Sequence, residues 1–374
     1  MNVLVIGHTY ISRVGREKWR VMAREYSVRL KIVVPSAWRD YLFTLRYDEH
    51  RDEELDMVPL RVFFSGKEAA HVYRSLAHVF RSFRPDILHV EEGTDAVSYL
   101  QALWLRRLFA PSARTVFFTW MNFEKRLKFP FPLVERFNLR HSDAAICGNS
   151  DARDILRRKG FAKPIHVLPL LGVDAERFSP GSDPAFRESL GLRGPVIGFI
   201  GRFVQEKGVL DLIDAVARMP AEADLLFVGG GSLERDMLER AGAHGIAERI
   251  RIVPPVRHEE IPHYLRAMDV LVLPSYTVPH WKEQFGQVLV QAMACEVPVV
   301  GSRHGEIPNV VGDAGFLFPE RDIESLASIL ARLLASEELR RSMGKKGRMR
   351  VLAEYTDKRI AERTVDVYRA LLGT

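Results

Sequence analysis

The chain has 374 residues, 47% hydrophobic and 27% charged, with a net charge of +6. It is too long for one ordinary domain, and no apolar run approaches the roughly 18 residues of a membrane span. Its two cysteines, Cys147 and Cys295, exclude a disulfide framework or a cysteine-built metal site, so a reducing cytoplasm is the default.

The opening "NVLVIG" (2–7) has no basic leader and reads as a first buried strand, not a signal peptide. Further short apolar runs follow: "DILHVEE" (86–92), "RTVFFTW" (114–120), "DAAICGN" (143–149) and "IHVLPLL" (165–171). Helical spacing occupies 68–83 and 96–109 between them. Buried strands alternating with helices predict a doubly wound parallel sheet. The segment 122–141 interleaves Lys125, Arg126, Lys128, Arg136 and Arg140 with Phe123, Phe129, Phe131 and Phe137. That pattern suits an anionic membrane face, a clamp on an anionic acceptor, or a core cover with exposed arginine stems.

The stretch 171–195, rich in Gly, Pro, Ser and Asp, reads as a linker. It divides the charge: residues 1–172 hold 28 Lys+Arg against 19 Asp+Glu, a net of +9, and residues 173–374 hold 26 against 29, a net of −3. A basic first half predicts an anionic partner, and an Arg-rich solvated surface is the plainer alternative.

Beyond the linker the alternation restarts with "VIGFIG" (196–201), "ADLLFVGGG" (223–231), "RIRIVPPV" (249–256), "DVLVLPS" (269–275) and "VPVVGS" (297–302). Two such halves predict ligands at strand C-terminal ends, in a cleft between them. The loop after Gly201 carries Arg202, Glu206, Lys207 and Gly208, and a fork plus a point charge suits a diphosphate. Gly229, Gly230 and Gly231 fit a close backbone approach to some ligand. They do not form the dinucleotide fingerprint.

In "HWKEQFGQVLVQAMACEVPVV" (280–300) a helix starts after Gly286, and its free N–H groups near Phe285 and Gln287 form an anion site. Gln287 and Gln291 share one helical face, and Glu283 on the loop before can take sugar hydroxyls. In "GSRHGEIPNVVGDAGFLF" His304 reads as a solvated loop residue more readily than as a ligand contact. A last helix starts near Thr356 and Asp357. No D-x-D occurs, so a metal–diphosphate clamp is not expected.

Together these segments resemble glycosyltransferase family 4, retaining enzymes of GT-B fold, strongly over about 165–355 and more weakly over 1–164. The resemblance implies that Arg202 and Lys207, in a G-R-x-x-x-x-K-G loop, bind the donor diphosphate. It implies that Glu283, first acid of an E-x7-E motif, faces the donor sugar. Gln291 stands where the second acid binds the ribose. An amide accepts more weakly than a carboxylate, so donor binding is expected to be weaker by about 1 kcal/mol. Glu296 and Glu306 occupy positions where the family commonly has glycine. The N-terminal half departs further: "IGHTYISRVGREKW" lacks the usual glycine pair, and "FFTWMNF" has Trp120 and Asn122 where many members have a histidine.

The expectation is thus an α/β chain with two Rossmann-like doubly wound parallel-sheet domains facing across a cleft. Residues 1–172 would bind the acceptor and 173–355 the nucleotide sugar, with helix 356–374 packing back towards the N-terminal domain. The expected activity is metal-independent retaining hexosyl transfer from a UDP- or GDP-linked sugar, without a cofactor. The acceptor is expected to be a glycan, a lipid-linked sugar or a small molecule, with a lipid-linked or anionic glycan precursor in view, as in envelope polysaccharide synthesis. Arg202, Lys207 and Glu283 would be catalytic. Gly201, Gly230, Phe285, Gly286, Gln287, Gln291 and Glu306 would hold the donor, and His8, Gly15, Arg16, Trp120 and Asn122 the acceptor. A cytoplasmic location with peripheral contact at the inner membrane face, and no nucleic acid, completes the expectation. Two rivals stand beside it: a catalytically weakened binding protein, and a sugar-nucleotide epimerase of similar architecture.

Overall fold

A parallel strand covered by helices on both sides is apolar on both faces. The strand Asn2–Ile6 (β1) shows this, with Val3 and Val5 in one core cluster and Leu4 and Ile6 in another. Arg29–Pro35 (β2), Met57–Leu60 (β3), Ile87–Val90 (β4), Arg114–Thr119 (β5), Ala144–Cys147 (β6) and Ile165–Val167 (β7) complete its sheet. The order is β7-β6-β5-β4-β1-β2-β3, and every pairing is parallel. This computed structural model describes residues 1–374 except 14, 40–43, 48–50, 221 and 280.

Val196–Arg202 (β8), Asp224–Gly230 (β9), Ile250–Val253 (β10), Val270–Leu273 (β11), Val299–Ser302 (β12) and Phe316–Phe318 (β13) form a second sheet. Its order is β10-β9-β8-β11-β12-β13, again all parallel. The two-sheet α/β architecture expected from the alternation is therefore present. Each sheet reverses direction beside its first strand, at β1/β4 and at β8/β11, and ligands bind at such points, beyond the strand carboxyl ends. In the second sheet β8 pairs with β11 only at Ile197 and Gly198, then runs on beside β9 as far as Arg202.

The chain divides into two units, Met1–Gly172 with Asp357–Thr374, and Val173–Thr356. The last helix, Asp357–Leu372, buries Ala361, Val365, Val367 and Tyr368 in the cluster that holds Val3 and Val5.

Two expectations are corrected. Residues 68–83 are not one helix: Val72–Tyr73 pairs antiparallel with Val62–Phe63, and only Leu76–Ser82 is helical. The Gln101 side chain accepts from the Tyr73 N–H at 3.0 Å and donates to its carbonyl at 2.7 Å, taking the groups a helix would have paired. The expected linker 171–195 crosses between units only at its start. Val173, Phe178 and Leu192 are buried in the second core, and Asp183 caps the helix Pro184–Ser189 by accepting from the Phe186 N–H.

Candidate functional site

In the second unit, β8 delivers Gly201 and Arg202 to the reversal point. Lys207 follows on a short turn that ends at Gly208, where φ is 68° and a Cβ would collide with the Pro274 carbonyl. Only glycine permits that approach, which brings Lys207 beside the exit of β11. Its Nζ lies 2.5 Å from Glu283 Oε2 and 4.8 Å from the centre of the Trp281 ring. Ser275 Oγ donates to the same carboxylate oxygen at 3.2 Å. Arg202 differs: its side chain is 65% exposed, and its NH2 is 3.7 Å from Glu206. The helix Gln287–Ala294 begins here at Gly286 with no side chain capping it. Its first N–H groups and Lys207 bring positive charge to Glu283, and Arg202 stands exposed at the end of β8.

Glu283 is held from behind by His304. The expectation of a solvated loop histidine is corrected, since His304 is 1% exposed. The Glu283 N–H donates to His304 Nε2 at 2.8 Å, so Nε2 bears the lone pair and Nδ1 the proton. Nδ1 lies 3.1 Å from Thr277 Oγ1 and 3.2 Å from Glu320 Oε1, and the ring stacks on Trp281. Burial lowers the His304 pKa, and Glu320 opposes that shift. The Glu306 N–H donates to the Glu283 carbonyl at 3.2 Å, and the Glu306 carboxylate accepts from Asn309 at 3.1 Å. Glu306 is thus tied to the backbone of Glu283.

Gln291 is 5% exposed, one turn into the helix. Its amide nitrogen donates to His258 Nε2 at 3.0 Å, and the His258 ring lies against Phe178. No local pattern marks His258, which sits in the charged run Arg257-His258-Glu259-Glu260 and reads as plain surface. Phe285 packs edge-on to Tyr355 at 5.7 Å, and Gln287 opens the helix. The glycine triplet has another purpose than the one expected. A Cβ on Gly229 would strike the Gly201 carbonyl, and one on Gly231 the Phe203 backbone, so the close approach is to the protein's own chain. Gly230 is more open and lines a shallow pocket with Glu234, Leu238, Pro254 and Pro255.

In the first unit, His8 follows β1, stacks on Trp38 at 4.6 Å, and places Nδ1 2.5 Å from Glu92 Oε2. Arg16 is corrected as an acceptor contact, because it is wholly buried and serves the fold. It donates to the Tyr10 carbonyl at 2.9 and 2.7 Å, to the Ile11 carbonyl at 2.9 Å and to Asp52 at 3.2 Å. Gly15 has φ 82° and turns the chain over Leu171. Trp120 and Asn122 follow β5; the Trp120 carbonyl accepts from Asn149, and Asn122 is buried.

The reading of the sequence did not single out Glu91 and Glu92 at the exit of β4, or His71. Two acids ending an apolar strand, "HVEE", were the available signal. Lys18 donates to Glu91 at 2.9 Å, and His89 Nε2 is 3.0 Å from the same oxygen. Burial pushes both carboxyls up, but Lys18 beside Glu91 and His8 beside Glu92 more than offset it, holding each at about 2.

In the basic segment Lys125, Arg126, Lys128, Arg136 and Arg140 are exposed, as are Phe129 and Leu133. Among the described residues, no helix is long and apolar enough to cross a membrane.

Comparison with known proteins bears on the family and the fold. Residues 183–350 match the family model for glycosyl transferases group 1, and residues 38–177 match that for glycosyltransferase family 4. A D-inositol 3-phosphate glycosyltransferase of Corynebacterium jeikeium is 38% identical over 198 residues, 48% of this chain and 46% of that protein. One of the same description from Xylanimonas cellulosilytica is 35% identical over 212 residues, 52% and 49% of the two chains. The chain thus spans about half the length of the curated relatives it matches. Among solved structures, Anabaena HepE in complex with UDP superposes with a TM-score of 0.76 at 17% identity, over 99% of this chain and 100% of that one. Sucrose-phosphate synthase of Thermosynechococcus elongatus does so with a TM-score of 0.73 at 22% identity, over 100% and 99%. With two all-parallel reversing sheets and family matches running through both, the chain belongs to the family 4 glycosyltransferases and has their GT-B fold.

Proposed function

We propose that this protein transfers a sugar from a nucleotide-diphosphate sugar to an acceptor, with retention of anomeric configuration. The observation that carries this is the Lys207–Glu283 pair before the helix Gln287–Ala294, which no side chain caps, with Arg202 exposed at the end of β8. An arriving diphosphate meets a point charge, a guanidinium fork and the N–H groups that open the helix. Those groups also stabilise the charge that grows on the departing diphosphate, so this donor site needs no metal. If the leaving phosphate takes the acceptor proton, no separate base is required. Glu283, with its backbone fixed by His304, is placed to accept from sugar hydroxyls. Gln291 and His258 take the ribose side in place of a carboxylate.

A UDP-linked sugar is the first donor to test, since the similarly folded HepE is in complex with UDP and with UDP-glucose. The net +9 of residues 1–172, and relatives named for D-inositol 3-phosphate, support an anionic acceptor. A lipid-linked acceptor would bring the exposed 125–140 segment to a membrane surface from the cytoplasmic side.

The test is calorimetry with UDP-, GDP-, ADP- and CMP-sugars on wild type and Gln291→Glu. Product NMR with the best donor and D-inositol 3-phosphate follows. One donor class should bind, about fivefold more tightly to Gln291→Glu, and the product should keep the donor's anomeric configuration. Failure of every nucleotide sugar to bind either protein at millimolar concentration overturns the transferase reading. An inverted product overturns retention alone.

A further inference from the structure

Among the described residues, His8, His71 and Glu92 bring three ligand-type atoms within 4.8 Å of one another. They come from the turn after β1, the segment before Val72–Tyr73, and the exit of β4. The side chains of His71 and Glu92 are fully buried, and that of His8 is 16% exposed.

The hydrogen bonds leave an imbalance at the centre of this group. His71 Nδ1 lies 2.9 Å from the Glu68 carbonyl oxygen. A carbonyl only accepts, so Nδ1 carries a proton. In the neutral ring Nε2 then bears a lone pair, and it faces the Glu92 carboxylate. It lies 3.4 Å from Oε1 without the geometry of a hydrogen bond. Two acceptors meeting in a dry site are unfavourable unless a cation lies between them. The surroundings are already fixed. The Tyr73 hydroxyl donates to Glu92 Oε1 at 2.9 Å, and Trp38 stacks on His8 and meets His71 edge-on at 4.9 Å. An Nδ1–H bonded to a backbone carbonyl is also how metal-bound histidines commonly fix their tautomer.

We propose that His8 Nδ1, His71 Nε2 and the Glu92 carboxylate hold one divalent transition-metal ion of the zinc class. Two imidazoles and a carboxylate are a donor set such ions take. Ligands bound tetrahedrally at about 2.1 Å from zinc lie about 3.4 Å apart. His71 and Glu92 already have that spacing. His8 and Glu92, at 2.5 Å, have the spacing of a charge-assisted hydrogen bond. The ion replaces that proton and moves His8, the partly exposed ligand, by about 1 Å. Three protein ligands leave a fourth position for water or another oxygen. The site belongs to the first unit and does not depend on the donor-site reading of the second.

The test uses the full chain, stripped with a chelator and titrated with Co2+, followed by visible absorption and by competition with Zn2+. One Co2+ per chain should bind with micromolar affinity and visible d–d bands, and Zn2+ should displace it. His8→Gln should weaken binding at least tenfold, and Glu92→Gln should abolish it. Should Glu92→Gln fail to fold by circular dichroism, His8→Gln carries the test alone. The proposal is overturned if no saturable binding occurs at millimolar Co2+. It is equally overturned if His8→Gln binds as wild type does, which would leave a proton as the cation in the cluster.

Discussion

The two reversal points share a topology and use their charges in opposite ways. At β1/β4, Lys18, His8 and Arg16 each meet a partner inside the protein. At β8/β11, Lys207 is paired with its side chain still 15% exposed, and Arg202 stands 65% exposed. A doubly wound sheet therefore supplies a ligand edge in each unit, but only charge left outside the fold can attract an anion. Breaking the buried Lys18–Glu91 pair should damage the fold, and breaking the Lys207–Glu283 pair should damage chiefly the chemistry.

The largest expected effect is on the buried side. Lys18→Met leaves Glu91 ionised and buried, which costs about 3–5 kcal/mol of stability. Denaturant unfolding of wild type and variant measures it, and a loss below about 1 kcal/mol would mean that His89 and the Tyr10 hydroxyl, which donates to Glu91 Oε2 at 2.5 Å, satisfy Glu91 unaided. The pH dependence has a definite sign. Glu91 is lowered from 4.5 to about 2 on folding, so its contribution is full above 4.5 and is lost as pH falls towards about 2.

Next is Lys207→Met. Its partner Glu283 is largely buried and keeps the Ser275 hydroxyl, so stability should fall by about 1–3 kcal/mol, less than for Lys18→Met. Transfer should fall about 100- to 1,000-fold, as expected when one charge-stabilising donor is removed. Steady-state kinetics with the best donor checks it. A tenfold loss or less would assign the main charge stabilisation to Arg202 and the helix start.

Much of this contrast was legible in the sequence because it depends on local patterns. Apolar runs gave most of the strands, and the loop bearing Arg202 and Lys207 follows its strand directly. Glu283, Gly286 and Gln291 lie on one short segment. What stayed hidden was long-range. His304 is 21 residues from Glu283, and only folding shows that it accepts the Glu283 N–H. His258 meets Gln291 across 33 residues. Arg16 looked like a cation for a ligand because no local pattern reveals that Tyr10, Ile11 and Asp52 surround it. The 68–83 error has the same origin, since the helical spacing is real but Gln101 supplies rival bonds from another element.

A smaller effect sharpens the role assigned to His304. A protonated Nε2 cannot accept the Glu283 N–H. Burial lowers the His304 pKa from 6.5, so the neutral ring's contribution is complete above 6.5 and is lost as pH falls through the lowered value. Transfer should therefore fall several-fold on the acid side, by about 1 kcal/mol for the lost bond. In His304→Gln, whose carbonyl accepts without titrating, this acid limb of kcat/KM should flatten. An unchanged limb would move the titration to His258, whose pKa burial also lowers.

The smallest effect concerns the end of the helix that carries Gln291. Val297 N–H donates to the Ala292 carbonyl at 3.0 Å, and Glu296 N–H to that of Met293 at 3.1 Å. These are the two bonds of a Schellman motif, and its left-handed position falls on Glu296, at φ 58°. A side chain there costs about 1–2 kcal/mol, whereas glycine adopts the angle freely and loses about 0.5–1 kcal/mol of chain entropy instead. Glu296→Gly should thus stabilise the second unit by about 0.5–1 kcal/mol without changing donor affinity. A stability decrease in thermal unfolding would show that the Glu296 side chain, beside Arg340 and Arg341 in a surface pocket, contributes more than its backbone strain costs.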